Sequence, residues 1–174
     1  MNDRAAVAHH EAGHAVLHVI SGRRLDTIVL RTTPVGCYGR VLIVPGRAPS
    51  AADYGAALAA GPLAHAKYLT GDMFAVDRFS DFDRGAIARA AEPGDPAAFL
   101  AASIQRAAAA LDIPAVWWAV ETLARELAAY WPQADELGEG VMDGETALAI
   151  ITAAGVWPGM AGFGEGLGWR AAQS

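Results

Sequence analysis

Cysteine is nearly missing from this chain of 174 residues, and Cys37 is the sole example. A lone thiol can form no intramolecular disulfide and cannot supply a multi-thiolate metal centre; at Cys37 it reads as an ordinary small residue. Basic clusters are missing too. With 13 Lys and Arg against 19 Asp and Glu, the formal net charge is -6, which argues against tracking the phosphates of DNA or RNA. No apolar run reaches the roughly 20 residues of a membrane span, because Gln105, Arg106, Asp112 and Pro114 interrupt the alanine-rich stretches. Met1 to Arg4 lead straight into a helical pattern carrying histidines and an acid, unlike a secretory signal. Internal repeats and a second-domain linker are also lacking. What remains, 53% hydrophobic and 18% charged, describes one soluble domain with a real core, expected in the cytoplasm.

The elements expected along the chain are mostly helical. Asp3 is a plausible N-cap for a helix over 4–21 that ends at Gly22. Around that helix Ala5, Ala8, Ala12, Ala15, Val16 and Val19 gather on one side, and Val7, His10, Glu11, His14 and His18 on the other. The first side is expected to face the core and the second to present imidazoles and a carboxylate. Two β-like runs, 27–31 and 38–44, flank turn residues and predict a short antiparallel pair. Ser50 can cap a helix over 51–70 that Gly61-Pro62 should kink or split. Further helices are expected near 81–91, 97–111, 114–130 and 145–154. The fold class is therefore mainly α (α+β), with a small two- to three-stranded sheet beside the first helix. A domain over 1–154 is followed by a glycine-rich tail, 155–174, expected to be flexible or to dock on a partner.

Within the first helix, His10-Glu11-Ala12-Gly13-His14 fits the pattern H-E-x-x-H. An i, i+4 spacing sets both imidazoles one turn apart on one face, as two ligands of a tetrahedral zinc ion require. Glu11 lies beside them, where it can take a proton from a zinc-bound water. Gly13 costs the helix about 1 kcal/mol relative to alanine, which suggests close packing against its backbone. His18 continues the face by one more turn and is expected to line the pocket, whereas His9 points away and is expected to be structural. Trp117 and Trp118 read as core or interface.

The third ligand is found by elimination. A metzincin continuation would need glycine and histidine where Leu17 and Ile20 stand. No glutamate occurs between Glu11 and Glu92, so an aspartate is the economical choice among Asp26, Asp53, Asp72, Asp77, Asp81 and Asp83.

These segments resemble the peptidase domain of the FtsH-type, membrane-anchored AAA zinc proteases. The active helix of that family reads like Ala8-His9-His10-Glu11-Ala12-Gly13-His14-Ala15-Val16. Ser80-Asp81-Phe82-Asp83-Arg84-Gly85-Ala86 is similar to the segment that carries the family's third ligand, and the resemblance puts that ligand at Asp81, with Asp83 in reserve. Ala60-Gly61-Pro62-Leu63-Ala64-His65 looks like a weakened Gly-Gly-x-x-Ala-Glu stretch, with His65 in the acidic place. Val141-Met142-Asp143-Gly144-Glu145 resembles the family's turn before its last helix. The likeness runs in order from about Arg4 to Ala154, and neither an ATPase module nor a membrane segment accompanies it.

The resemblance implies a zincin-like fold and a stand-alone zinc endopeptidase that acts on unfolded or flexible polypeptides and is ATP-independent by itself. Zn2+ would be held by His10, His14 and Asp81, with Glu11 as the catalytic base. The run Gly39, Arg40, Val41, Leu42 and Ile43 is the candidate edge strand for an extended substrate. Two rival readings stand beside it: a non-catalytic metal-binding or regulatory module, and a helper subunit active only with a separate ATPase. The partners expected are a polypeptide substrate and either further copies of this chain or a separate ATPase.

Overall fold

The computed structural model describes residues 4–46, 49–75, 81–91, 94–131, 138–158 and 160, without the side chains of 81 and 82. The elements follow in the order α1 (Arg4–Ile20), β1 (Leu25–Thr33), β2 (Gly36–Ile43), α2 (Ala51–Thr70), α3 (Asp81–Ala90), α4 (Pro96–Leu111), α5 (Pro114–Tyr130), β3 (Gly138–Asp143) and α6 (Gly144–Ala153). The fold is mainly helical with a small antiparallel sheet. Among the described residues no single helix is long and apolar enough to cross a membrane.

The first helix, α1, lies at the centre. Its two sides do not divide into core and surface, because every residue from Glu11 to Ile20 is buried. Helices α2 and α5 pack against it, and β1 and β2 lie alongside. The imidazole-bearing side is therefore walled by other elements instead of facing open solvent. At its C-terminal end Gly22 adopts φ 78°. Its amide donates to the Val19 carbonyl at 2.9 Å and that of Arg23 to His18 at 2.9 Å, a Schellman closure that turns the chain into β1.

Helix α2 begins at Ser50, whose hydroxyl accepts the Asp53 amide at 3.0 Å, and it ends at the left-handed Gly71. The expected break at Gly61-Pro62 does not occur, and the helix runs unbroken through Pro62 for 20 residues. Proline clashes chiefly with the Cβ and amide of the residue before it. Here that residue is glycine, so a helical geometry is tolerated at the cost of one backbone hydrogen bond.

Small residues let α1 and α2 approach closely. A Cβ added to Gly13 would stand 2.6 Å from the Ala60 carbonyl oxygen and 2.8 Å from the Ala64 Cβ. Ala57, Ala60 and Ala64, all buried, lie on the side of α2 that faces α1.

The sheet has the order β2-β1-β3, antiparallel throughout. Ile28 and Leu30 of β1 and Met142 of β3 point into the core and are at most 1% exposed. The expected pair β1–β2 forms with Val29 opposite Arg40 and Leu30 opposite Gly39. On the other side of β1, β3 adds a strand where the sequence suggests only a turn before the last helix. It makes β1 central and leaves β2 as an edge. Packing also continues past Ala154: Val156 is fully buried and Met160 lies against the core. Asp3 and residues 161–174 fall outside the described residues.

Candidate metal centre

Three elements converge on one point. From α1, the Nε2 atoms of His10 and His14 lie 3.0 Å apart. From α3, the Asp83 carboxylate reaches both, with Oδ2 at 3.5 Å from His10 Nε2 and Oδ1 at 3.6 Å from His14 Nε2. From α2 comes the support. His14 Nδ1 meets the Ala57 carbonyl oxygen at 2.8 Å, so that nitrogen carries the proton and donates it, leaving the Nε2 lone pair aimed at the centre. A backbone carbonyl that fixes the tautomer in this way is the usual support of a metal-binding histidine. One turn further along α2, Gly61 leaves room for the ring: a Cβ there would collide with Nε2 of His14 and lie 2.5 Å from its Cε1.

Helix α3 presents Asp83, Ala86 and Ile87 inward, all buried. This i, i+3, i+4 set explains why Asp83 reaches the histidines. The aspartate in the group is thus the one the sequence holds in reserve. Asp81, to which the family likeness assigns the role, is the first residue of α3, and its side chain lies outside the described residues. Asp26, Asp53 and Asp72 do not join the group; Asp53 instead pairs with Arg106. Asp77 also lies outside the described residues.

Glu11 is 4% exposed and sits between α1 and the edge strand. A Cβ on Gly39 would strike its side chain, coming within 2.7 Å of Cδ and 2.8 Å of Oε1. The absence of a side chain at position 39 is thus what allows β2 to lie over the carboxylate. Arg40 is exposed, whereas Val41 and Leu42 are half-buried.

The electrostatics of the cluster are those of buried groups with too few counter-charges. Burial pushes the Glu11 carboxyl up to about 7, with His10 opposing and Asp83 adding to the rise. Burial also lowers His14 to about 4, helped by His10 and opposed by Asp83 and the Ala57 carbonyl. For His10 burial pulls downward, but the Asp83 hydrogen bond and the charges of Glu11 and Asp83 outweigh it and leave the imidazole raised. A cation at the convergence point would relieve all of these tensions at once.

The remaining histidines have separate roles. His9 hydrogen-bonds through Nδ1 to the Ala5 carbonyl at 2.7 Å and stacks on Tyr68 at 4.0 Å, a structural position. His18 is buried near Tyr54, and its Nδ1 has no partner among the described residues. His65, from α2, sets its ring edge-on to His10, 6.2 Å away between centroids. Trp117 packs against the core beneath the Lys67 ammonium, while Trp118 is exposed.

The donor set can be tested for fit. A tetrahedral zinc ion with bonds of 2.0–2.2 Å requires donors about 3.3 Å apart. The two Nε2 atoms stand 3.0 Å apart and each faces a different Asp83 oxygen, at 3.5 Å from His10 and 3.6 Å from His14, spacings close to that value. Two neutral imidazoles and one carboxylate also match zinc's preference for nitrogen and oxygen ligands. Among the described residues no fourth acidic, histidine or cysteine side chain joins the three. No protein-family model matches the sequence, and no relative was found among curated proteins. What can be inferred about this centre comes from its own residues and geometry.

Proposed function

We propose that the protein is a zinc-dependent peptidase that hydrolyses peptide bonds in unfolded or flexible polypeptides, built like the FtsH-type peptidase domain. The reading is carried by one observation: His10, His14 and Asp83 bring possible ligand atoms within 4.8 Å of one another beside a buried glutamate. His10 and His14 would hold the ion through Nε2 and Asp83 through its carboxylate. When bound, zinc would supply Lewis-acid polarisation of the scissile carbonyl and ready a water for attack near neutral pH.

The chain's own residues do the rest. Two imidazoles and one carboxylate neutralise only half of a divalent charge, so the site stays electrophilic. Glu11 accepts the proton of the attacking water and returns it to the leaving amine. Its position beneath Gly39 supports β2 as the docking strand. An extended polypeptide adding to β2, an edge of the sheet among the described residues, through backbone hydrogen bonds would pass over Glu11, and such pairing tolerates many sequences. A purely structural zinc site would need no base at position 11, and the presence of Glu11 speaks for hydrolysis.

The test is a Glu11→Gln variant assayed on casein. It should retain its metal and lose hydrolysis by about 10²- to 10⁴-fold, the scale of a lost general base. A variant that cleaves casein as fast as the parent would refute the assignment.

A further inference from the structure

We propose that Arg40 selects polypeptide substrates that carry an acidic residue beside the bond to be cleaved. The inference rests on the peptidase reading above and deepens it by naming a substrate class. It starts from the alternation of β2. A Cβ on Gly39 would meet the Glu11 side chain, 2.8 Å from Oε1. Position 39 therefore addresses the inner face of the sheet, as does its partner Leu30, which is 1% exposed. Successive residues of a strand point to opposite faces, so Arg40 stands on the outer face. Its exposure agrees.

On that face the two arginines of the hairpin are treated differently. Arg31 of β1 pairs with Glu139 of β3 at 3.3 Å and donates to the Tyr38 hydroxyl at 3.2 Å. Opposite Arg40 stand Val29 and, one strand further, Val141. Among the described residues Arg40 forms no ion pair. An extended chain adding to the edge of β2 would set one residue opposite Gly39, next to Glu11, and its neighbour opposite Arg40. That neighbour lies within two residues of the attacked bond. Side chains paired across one face of a sheet have Cβ atoms about 5 Å apart, a gap that a guanidinium fork and a carboxylate close with two parallel hydrogen bonds. Lysine or arginine in the same place meets a like charge. The whole chain carries a net charge of -6 and repels acidic polypeptides at long range, so a preference for an acidic residue has to come from a local cation such as this one.

Short peptides of Gly, Ala and Leu, with a single Glu, Gln or Lys walked along the sequence, test this; mass spectrometry locates each cut and gives kcat/KM. The parent should cut within two residues of Glu. Its kcat/KM should be about fivefold higher for Glu than for Gln and about fivefold lower for Lys, the scale of one exposed charge pair. Both differences should shrink in about 0.5 M NaCl, as screening requires. Arg40→Ala should level the three rates and Arg40→Glu should reverse their order, with the zinc content of the parent in both. The ratios are read within each variant, so a general change in activity does not enter them. A preference for Glu that persists in Arg40→Glu, or a parent that cuts all three peptides equally fast, would overturn the inference and leave the peptidase reading intact. A parent that holds no zinc and cuts no peptide would remove both together.

Discussion

At the scale of the residue, the histidine pair and its neighbouring glutamate are legible because a five-residue pattern on a helix encodes its own geometry. Spacing of i, i+4 leaves little freedom in where the two rings point. The third donor is not legible in that way, because it comes from a separate element far along the chain. Elimination narrows it to an aspartate, and the inward set Asp83, Ala86 and Ile87 is the signal that can select among them. An Asp83→Ala variant should therefore lose zinc affinity by at least about 10²-fold, since one of three protein ligands is gone. Competition with a chromophoric chelator measures this directly, and parental affinity in Asp83→Ala would exclude Asp83 as a ligand.

At the scale of the element, glycine decides how closely the helices and strand approach the centre. Gly13→Ala should gain about 1 kcal/mol of helix propensity. The new methyl would press on the Ala60 carbonyl and the Ala64 Cβ, and overpacking of this kind costs about 1–3 kcal/mol. A net loss of stability is expected in urea denaturation, and a net gain would show that α1 and α2 can part cheaply. Gly61→Ala is predicted to behave differently. Its methyl would push on the His14 ring, so zinc binding should weaken even where the circular dichroism spectrum is unchanged. Unaltered zinc affinity would mean that the ring has room to yield.

The hairpin β1–β2 and the helices are legible from local periodicity and caps such as Ser50. Strand β3 is not. Gly138-Glu-Gly-Val-Met-Asp has little intrinsic strand preference, and it is extended because it pairs with β1, a strand from the far end of the chain. Gly140 shows the same dependence: a Cβ there would stand 2.5 Å from the Tyr130 carbonyl oxygen. The continuity of α2 through Pro62 is likewise hidden, because it depends on a glycine in front of the proline and on α1 and α4 packed along the helix.

At the scale of the whole molecule, periodicity along the chain points correctly to a mainly helical fold, but it gives no indication that the helix bearing His10 and His14 is central. Burying α1 almost completely has a consequence for stability. In the unfolded chain His14 and His18 titrate near 6.5, whereas burial holds them near 4 and 3 in the fold. The unfolded state then binds more protons below 6.5, so the metal-free protein loses stability as the pH falls from there. Each histidine contributes up to about 1.4 kcal/mol per pH unit. Glu11 acts in the opposite sense. Raised from 4.5 to about 7, it stabilises the fold fully below 4.5 and progressively less as the pH rises through 7. Between 4.5 and 6.5 the two histidines outweigh it. Above 6.5 Glu11 is joined by His10, which is also raised, and stability declines again. The metal-free protein should accordingly be most stable near pH 6.5 in chelator-containing urea titrations. A profile that is flat from pH 5 to 8 would contradict this balance of buried charges.

The proposed hydrolysis and substrate docking both depend on a cation bound jointly by α1 and α3. Metal analysis of the purified protein beside His14→Ala tests this most directly. About one zinc per chain is expected in the parent and almost none in the variant. Equal metal content in the two proteins would contradict a shared cation at this centre.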